Sequence, residues 1–215
     1  MRIRDFLHIS AKRQRQVTRL LQLALIGFLF IGLDRKNLGI VVNTVVAIVV
    51  TEIPAFIERD YNVSMDPALV LWITVAVFLH ALGTLGPYQN VWWWDHVTHL
   101  LSSSIVAGAG YAFARALDSH SAAIELPPKF TFVYLLIVVL AFGVFWEVIE
   151  FGVSGLASWF QMKSIATQYG LDDTMMDLIF DTIGGIIVAT WGTVYLSQML
   201  DSIIDHIGKQ IQSGK

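Results

Sequence analysis

The chain has no cysteine among its 215 residues. Disulfides, thiolate zinc sites and thiol nucleophiles are therefore excluded. Charge is also scarce. Asp, Glu, Lys and Arg make up 14% of the residues, against about 25% in an ordinary soluble domain. The formal net charge of −3 is too small to imply a nucleic-acid partner. No internal repeat, low-complexity tract or linker divides the chain. What fills it is apolar: 55% of residues are hydrophobic. That composition predicts an integral membrane protein in a cell membrane, with the lipid bilayer as its solvent.

A spanning helix needs about 20 predominantly apolar residues. Six segments qualify, near 17–33, 38–57, 68–86, 93–116, 130–152 and 175–197. The expected fold is an all-α, polytopic, multi-pass membrane helix bundle. A signal peptide over 1–33 is the competing reading, but no small-residue cleavage pattern precedes DRKN. With the N-terminus inside, eleven Lys and Arg residues fall on the inner side and only Arg35, Lys36 and Lys163 on the outer side. That bias predicts two cytoplasmic termini, and an even number of spans agrees.

Residues 1–16 read as a basic interfacial segment, and 17–197 as the bundle. Residues 198–215 read as an amphipathic tail, with Met199, Ile203, Ile204, Ile207 and Ile211 at helical spacing. Asp34–Asn37 is expected as a tight outer turn, and 154–174 as an outer segment along the surface. His120 reads as an ordinary solvated histidine. Trp92, Trp93 and Trp94 suit a membrane–water interface.

Against this apolar background stand eight ionisable residues: Asp95, His96, His99, Glu147, Glu150, Asp173, Asp177 and Asp181. A charge at the bilayer centre costs about 2.5–3.5 kcal/mol on insertion scales. The expected topology puts all eight at one end of the bundle. Asp95 and His99 are i,i+4, Glu147 and Glu150 are i,i+3, and the three aspartates run at i, i+4 and i+8. Each set therefore shares one helix face. Turning the three stripes inward lets a cation lower the cost of every carboxylate.

His99, Glu147, Asp173, Asp177 and Asp181 are the candidate ligands of a divalent metal. Oxygen donors suit Mg²⁺ or Mn²⁺, and histidine shifts the choice toward Mn²⁺, Fe²⁺ or Zn²⁺. Glu150 and Asp95 are candidate catalytic residues, as general base or as partner to His99. Asp95 and Asp173 also have a capping reading at their helix starts. His96 points about 100° away from Asp95 and is expected to meet the headgroups. His80 reads as a hydrogen-bonded interior histidine, and Glu52 as a locally paired residue. Gly108, Gly110, Gly184 and Gly185 are expected to let helices approach closely.

Three functions fit such a cluster. A metal-dependent enzyme would act on a lipid-type substrate, hydrolysing or transferring it. A proton- or cation-coupled carrier would use Glu52 as its inner stage, and with six spans it would need a homodimer. A structural assembly factor would use the polar network only to fix helix packing.

The order W-D-x-x-x-H, W-E-x-x-E and D-x-x-x-D-x-x-x-D-x-x-G-G, over about residues 90–190, resembles the YjdF-like inner-membrane proteins, a family of uncharacterised function. More distantly it is similar to VanZ-like membrane proteins. That likeness implies that Asp95 with His99, Glu147 with Glu150, and Asp177 with Asp181 and Gly184 form three matching motifs. The sequence departs from the VanZ pattern by having Glu150 in place of Gln and Asp181 in place of Asn.

Overall fold

The computed structural model of the protein describes residues 10–61, 65–120, 125–161 and 170–197. Residues 1–9, residues 162–169, the side chain of His120 and the 198–215 tail lie outside the described residues, together with the expectations placed on them. The described residues form helices and turns, with no strand among them.

Helix α1 (Ala11–Asp34) is capped by Ser10, whose hydroxyl accepts from Arg13 N. Residues 11–16 were expected in a separate interfacial segment. They are instead the first turns of α1, because the cap sits at Ser10 and no helix breaker separates it from the apolar run. Lys36 adopts φ 50° and ends the helix. Asn37 N donates to Gly32 O and Lys36 N to Leu33 O, the paired bonds of a Schellman stop. Asn37 then accepts from Ile40 N, which starts α2 (Leu38–Tyr61). The turn falls where the sequence put it.

Helix α3 (Pro67–Gly83) starts on Asp66, whose carboxylate accepts from Ala68 N. Its 17 residues rise about 25 Å, short for a span. The turn at Gly86, with φ 151°, leads into the short α4 (Pro87–Asn90). A side chain at Gly83 would collide with the Tyr88 ring, so this glycine is what lets Tyr88 fold back against α3.

Helix α5 (Trp94–His120) and α6 (Pro128–Trp159) follow. Helix α6 runs well beyond the expected end near 152, because SGLASW holds no proline and the helix stops only at Phe160 and Gln161. Helix α7 (Leu171–Ile187) passes through a π-helical turn (Val188–Gly192) and continues to Ser197.

Five helices (α1, α2, α5, α6 and α7) are long and apolar enough to cross a membrane, and α3 is the shorter sixth. Helices α1–α3 pack together around Leu25, Ala47 and Ala81. Helices α5–α7 pack around Ala107, Val139, Val188 and Leu196. The α3–α5 contact joins the two groups. Leu20, Leu23 and Phe30 on α1, and Val133, Ile137, Phe142 and Phe151 on α6, are exposed. An apolar surface this extensive is unsuited to water and is what a lipid-facing bundle presents. The chain is a multi-pass membrane helix bundle.

Candidate metal centre

The site lies where the first turns of α5 and α7 meet the later turns of α6. Two glycines set the approach. A side chain at Gly184 would run into the Leu100 carbonyl and the Ser103 hydroxyl of α5. At Gly143 of α6, a Cβ would stand 2.5 Å from Asp181 Oδ2. The close α5–α7 and α6–α7 contacts therefore depend on the absence of side chains there. Gly185 lies against Val139 and Leu136 of α6, and Gly110 against Leu135 and Val138.

Within this seam the His99 imidazole stands between aspartates. Its Nδ1 lies 3.3 Å from Asp181 Oδ1. Its Nε2 lies 3.7 Å from Asp95 Oδ1 and 3.8 Å from Asp177 Oδ2. Asp95, His99 and Asp177 each offer one ligand atom within 4.8 Å of the others. Asp177 is 2% exposed, and its Oδ1 is buried without a hydrogen-bond partner. An anionic oxygen left this way costs several kcal/mol unless a cation or proton meets it.

Each residue singled out in the sequence now has a place. Asp177 and Asp181 are buried, as their depth in α7 implied. Asp95 lies inside the first turn of α5 and not at its cap, and Thr98 Oγ1 donates to its carbonyl at 2.8 Å. Glu147 is 5% exposed and accepts from Thr174 Oγ1 at 2.7 Å, which ties α6 to α7. Its Oε1 is buried without a partner. Glu150 accepts from Trp146 Nε1 at 3.1 Å within its own helix. Asp173 sits partly buried in the first turn of α7, after the cap position at Gly170. Glu147, Glu150 and Asp173 thus flank the group of three ligand atoms and are not members of it.

His96 corrects the sequence reading. Its side chain is turned into the α5–α7 seam and is 15% exposed. Its ring stacks on Phe180 of α7 with centroids 4.6 Å apart, and its Nδ1 lies 3.9 Å from Asp177 Oδ1. The 100° offset from Asp95 was real, but α7 lies in the seam and its Asp177 receives both histidines. The i,i+3 spacing of His96 and His99 was the overlooked signal. Thr174, the partner of Glu147, carried no such signal.

Beside the centre runs a polar chain. Asn43 Nδ2 donates to Gly39 O, so its Oδ1 accepts from His80 Nε2–H at 3.2 Å. His80 Nδ1 is then an acceptor for the Tyr88 hydroxyl at 2.7 Å. Tyr88 also lies 3.4 Å from Thr98 Oγ1, and Thr98 bonds Asp95. Burial pushes the Tyr88 phenol above its ordinary range, so it remains a donor. His80 is the interior histidine expected from the sequence. Glu52 is exposed on α2 and accepts from Gln22 Nε2 of α1 at 3.3 Å, a local pairing also as expected.

Comparison with known proteins agrees with the bundle. An uncharacterised protein from Thermotoga maritima is 33% identical over 133 residues, covering 61% of this chain and 65% of that protein. The chain thus spans just under two thirds of that relative's length. No solved structure matches. The family described as "Predicted membrane protein (DUF2238)" matches residues 17–198, every described helix from the second turn of α1 onward. The chain belongs to that family.

Proposed function

We propose that Asp95, His99 and Asp177 bind a divalent cation inside the membrane, and that the centre hydrolyses or transfers a lipid-type phosphoester. The carrying observation is the convergence of their three ligand atoms within 4.8 Å, with Asp177 itself buried. Two carboxylates and an imidazole suit Mn²⁺, Fe²⁺ or Zn²⁺ better than Ca²⁺. When bound, such an ion polarises a phosphoryl oxygen and acidifies a water.

The chain's own groups divide the remaining work. Asp181 accepts from His99 Nδ1–H and leaves the Nε2 lone pair facing Asp95 and Asp177. Asp181, read from sequence as a ligand, is therefore assigned to orient one. Asp95, read as a catalytic residue, is assigned to the ligand set. Glu150, held by Trp146, stays the candidate general base. Glu147 and Asp173 supply further negative charge around the ion.

The substrate class rests on position. Trp92 is 83% exposed before α5, and Trp159 is 80% exposed at the end of α6, at the same end of the bundle as the acids. Exposed tryptophans mark the interface where headgroups lie, so a lipid can reach the centre laterally. A carrier that uses Glu52 is less well supported, since Glu52 is exposed and bonded to Gln22.

Elemental analysis of protein purified in detergent without chelator tests the proposal. We expect a divalent transition metal in the wild type and its loss in Asp177→Asn, with helicity kept. A wild-type protein that neither retains nor takes up such an ion overturns the reading.

A further inference from the structure

The two oxygens of Asp177 face different partners. Oδ2 lies 3.8 Å from His99 Nε2, inside the group described above. Oδ1 faces the other way, 3.9 Å from His96 Nδ1. Both Oδ1 and His96 Nδ1 are buried without a hydrogen-bond partner. At 3.9 Å they are too far apart to bond each other. Adjacent ligands on one first-row cation, each at about 2.1 Å, stand about 3.0–3.4 Å apart. A closing of the pair by about 0.5 Å would set both atoms on one ion.

The pattern extends beyond this pair. Among the described residues, four buried side-chain polar atoms have no partner: Thr44 Oγ1, His96 Nδ1, Glu147 Oε1 and Asp177 Oδ1. Three of the four belong to the cluster of α5, α6 and α7. Native interiors leave few such atoms, and each calls for an explanation. The first cation explains none of these three, because it takes Oδ2 of Asp177.

We propose that Asp177 bridges two divalent cations, the second held between its Oδ1 and His96 Nδ1. This inference rests on the metal reading of the Asp95, His99 and Asp177 group. Stacking on Phe180 fixes the plane of the His96 ring. Ligation through Nδ1 places the ring proton on Nε2. A carboxylate bridging two ions is the arrangement in which paired metals, about 3.5–4 Å apart, clamp both the attacking and the leaving oxygen of a phosphoryl group. That chemistry suits the lipid phosphoester proposed above.

Titration of the metal-free, full-length protein in nanodiscs with Mn²⁺, followed by electron paramagnetic resonance, decides the matter. The wild type should bind about two equivalents and give the exchange-coupled spectrum of a bridged pair. His96→Phe keeps a ring against Phe180 but removes the ligand. It should bind half as much Mn²⁺ and show the resolved hyperfine pattern of an isolated ion.

A wild type that binds a single ion, or two that are not coupled, overturns the bridge while the first centre stands. So does a coupled pair that persists in His96→Phe. Were no Mn²⁺ bound at all, the metal reading itself would fall, and this inference with it. A protonated His96 simply paired with Asp177 would produce the single-ion result. If His96→Phe does not fold, the wild-type stoichiometry and coupling still decide.

Discussion

His99 Nδ1 lies 3.3 Å from Asp181 Oδ1 across the α5–α7 seam, so the face of the ring that looks at Asp95 and Asp177 is its Nε2 edge. The same contact sets the ring's rotation and its tautomer. It also places a third acid against the ring, on the side away from Asp95 and Asp177.

Asp181→Asn tests that role. The amide keeps the shape and can still accept through its oxygen, but it removes the charge. Loss of an outer partner of a ligating histidine lowers metal affinity about 10–100-fold. We expect a weakening of that size in a competition titration with a chromophoric chelator, with an unchanged circular dichroism spectrum. Affinity equal to wild type would remove Asp181 from the centre.

Gly184 sets how closely α7 approaches α5. A Cβ there meets the Leu100 carbonyl, which belongs to the backbone of α5 and cannot rotate away as a side chain would. Overpacking of this kind costs about 1–3 kcal/mol. Gly184→Ala should lower the thermal midpoint in detergent and weaken metal retention together, because the seam that widens is the one holding His99 against α7. At Gly108 the nearest atom to a new Cβ is Leu196 Cδ1 at 3.7 Å, ordinary contact distance. Gly108→Ala should leave both properties near wild type.

Tyr88, in the short helix between spans, gives a pH dependence whose sign follows from its burial. Desolvation favours the neutral phenol in the folded protein and lifts its pKa above the ordinary value near 10. The folded state then holds the proton more tightly than the unfolded state does. This contribution is fully present below the ordinary tyrosine pKa and is lost as pH rises above it, toward the folded value. Denaturation of the wild type should show a fall in stability above pH ~10 that is shallower in Tyr88→Phe. At neutral pH the variant should lose about 1–3 kcal/mol, because His80 Nδ1 is left without its donor.

The bundle was legible in the sequence because its signal is collective. A long apolar run with polar flanks reports a helix whatever it packs against, and all six segments became helices. Their ends were less legible. The start of α1 depended on Ser10 as a cap, and the end of α6 on the backbone at Phe160 and Gln161. These are local features that hydropathy does not resolve. In the site, helical spacing placed Asp95 with His99, and Asp177 with Asp181, on shared faces. Spacing fixes faces but not which side of a ring a neighbour meets. It therefore could not separate Asp181 on Nδ1 from Asp177 on Nε2, and though it set His96 on the face of His99 it could not name Asp177 as their common neighbour. Both depend on how α7 lies across α5, which the small residues at Gly143 and Gly184 determine.

Membrane orientation is testable in a background the protein itself supplies, since it has no cysteine. The charge bias predicts that the α1–α2 turn faces outward and the end of α2 inward. Lys36 lies in that turn, and Asp60 in the last turn of α2 beside Arg59. In intact cells, Lys36→Cys should react with a membrane-impermeant maleimide. Asp60→Cys should react only after the membrane is permeabilised. The reverse pattern would invert the bundle and place the acid cluster at the cytoplasmic face. The geometry of the centre would be unchanged, but the lipid leaflet beside it would be the other one. Labelling of Asp60→Cys and Lys36→Cys from the same side would mean that α2 does not cross the bilayer, contrary to the length and apolar character of its helix.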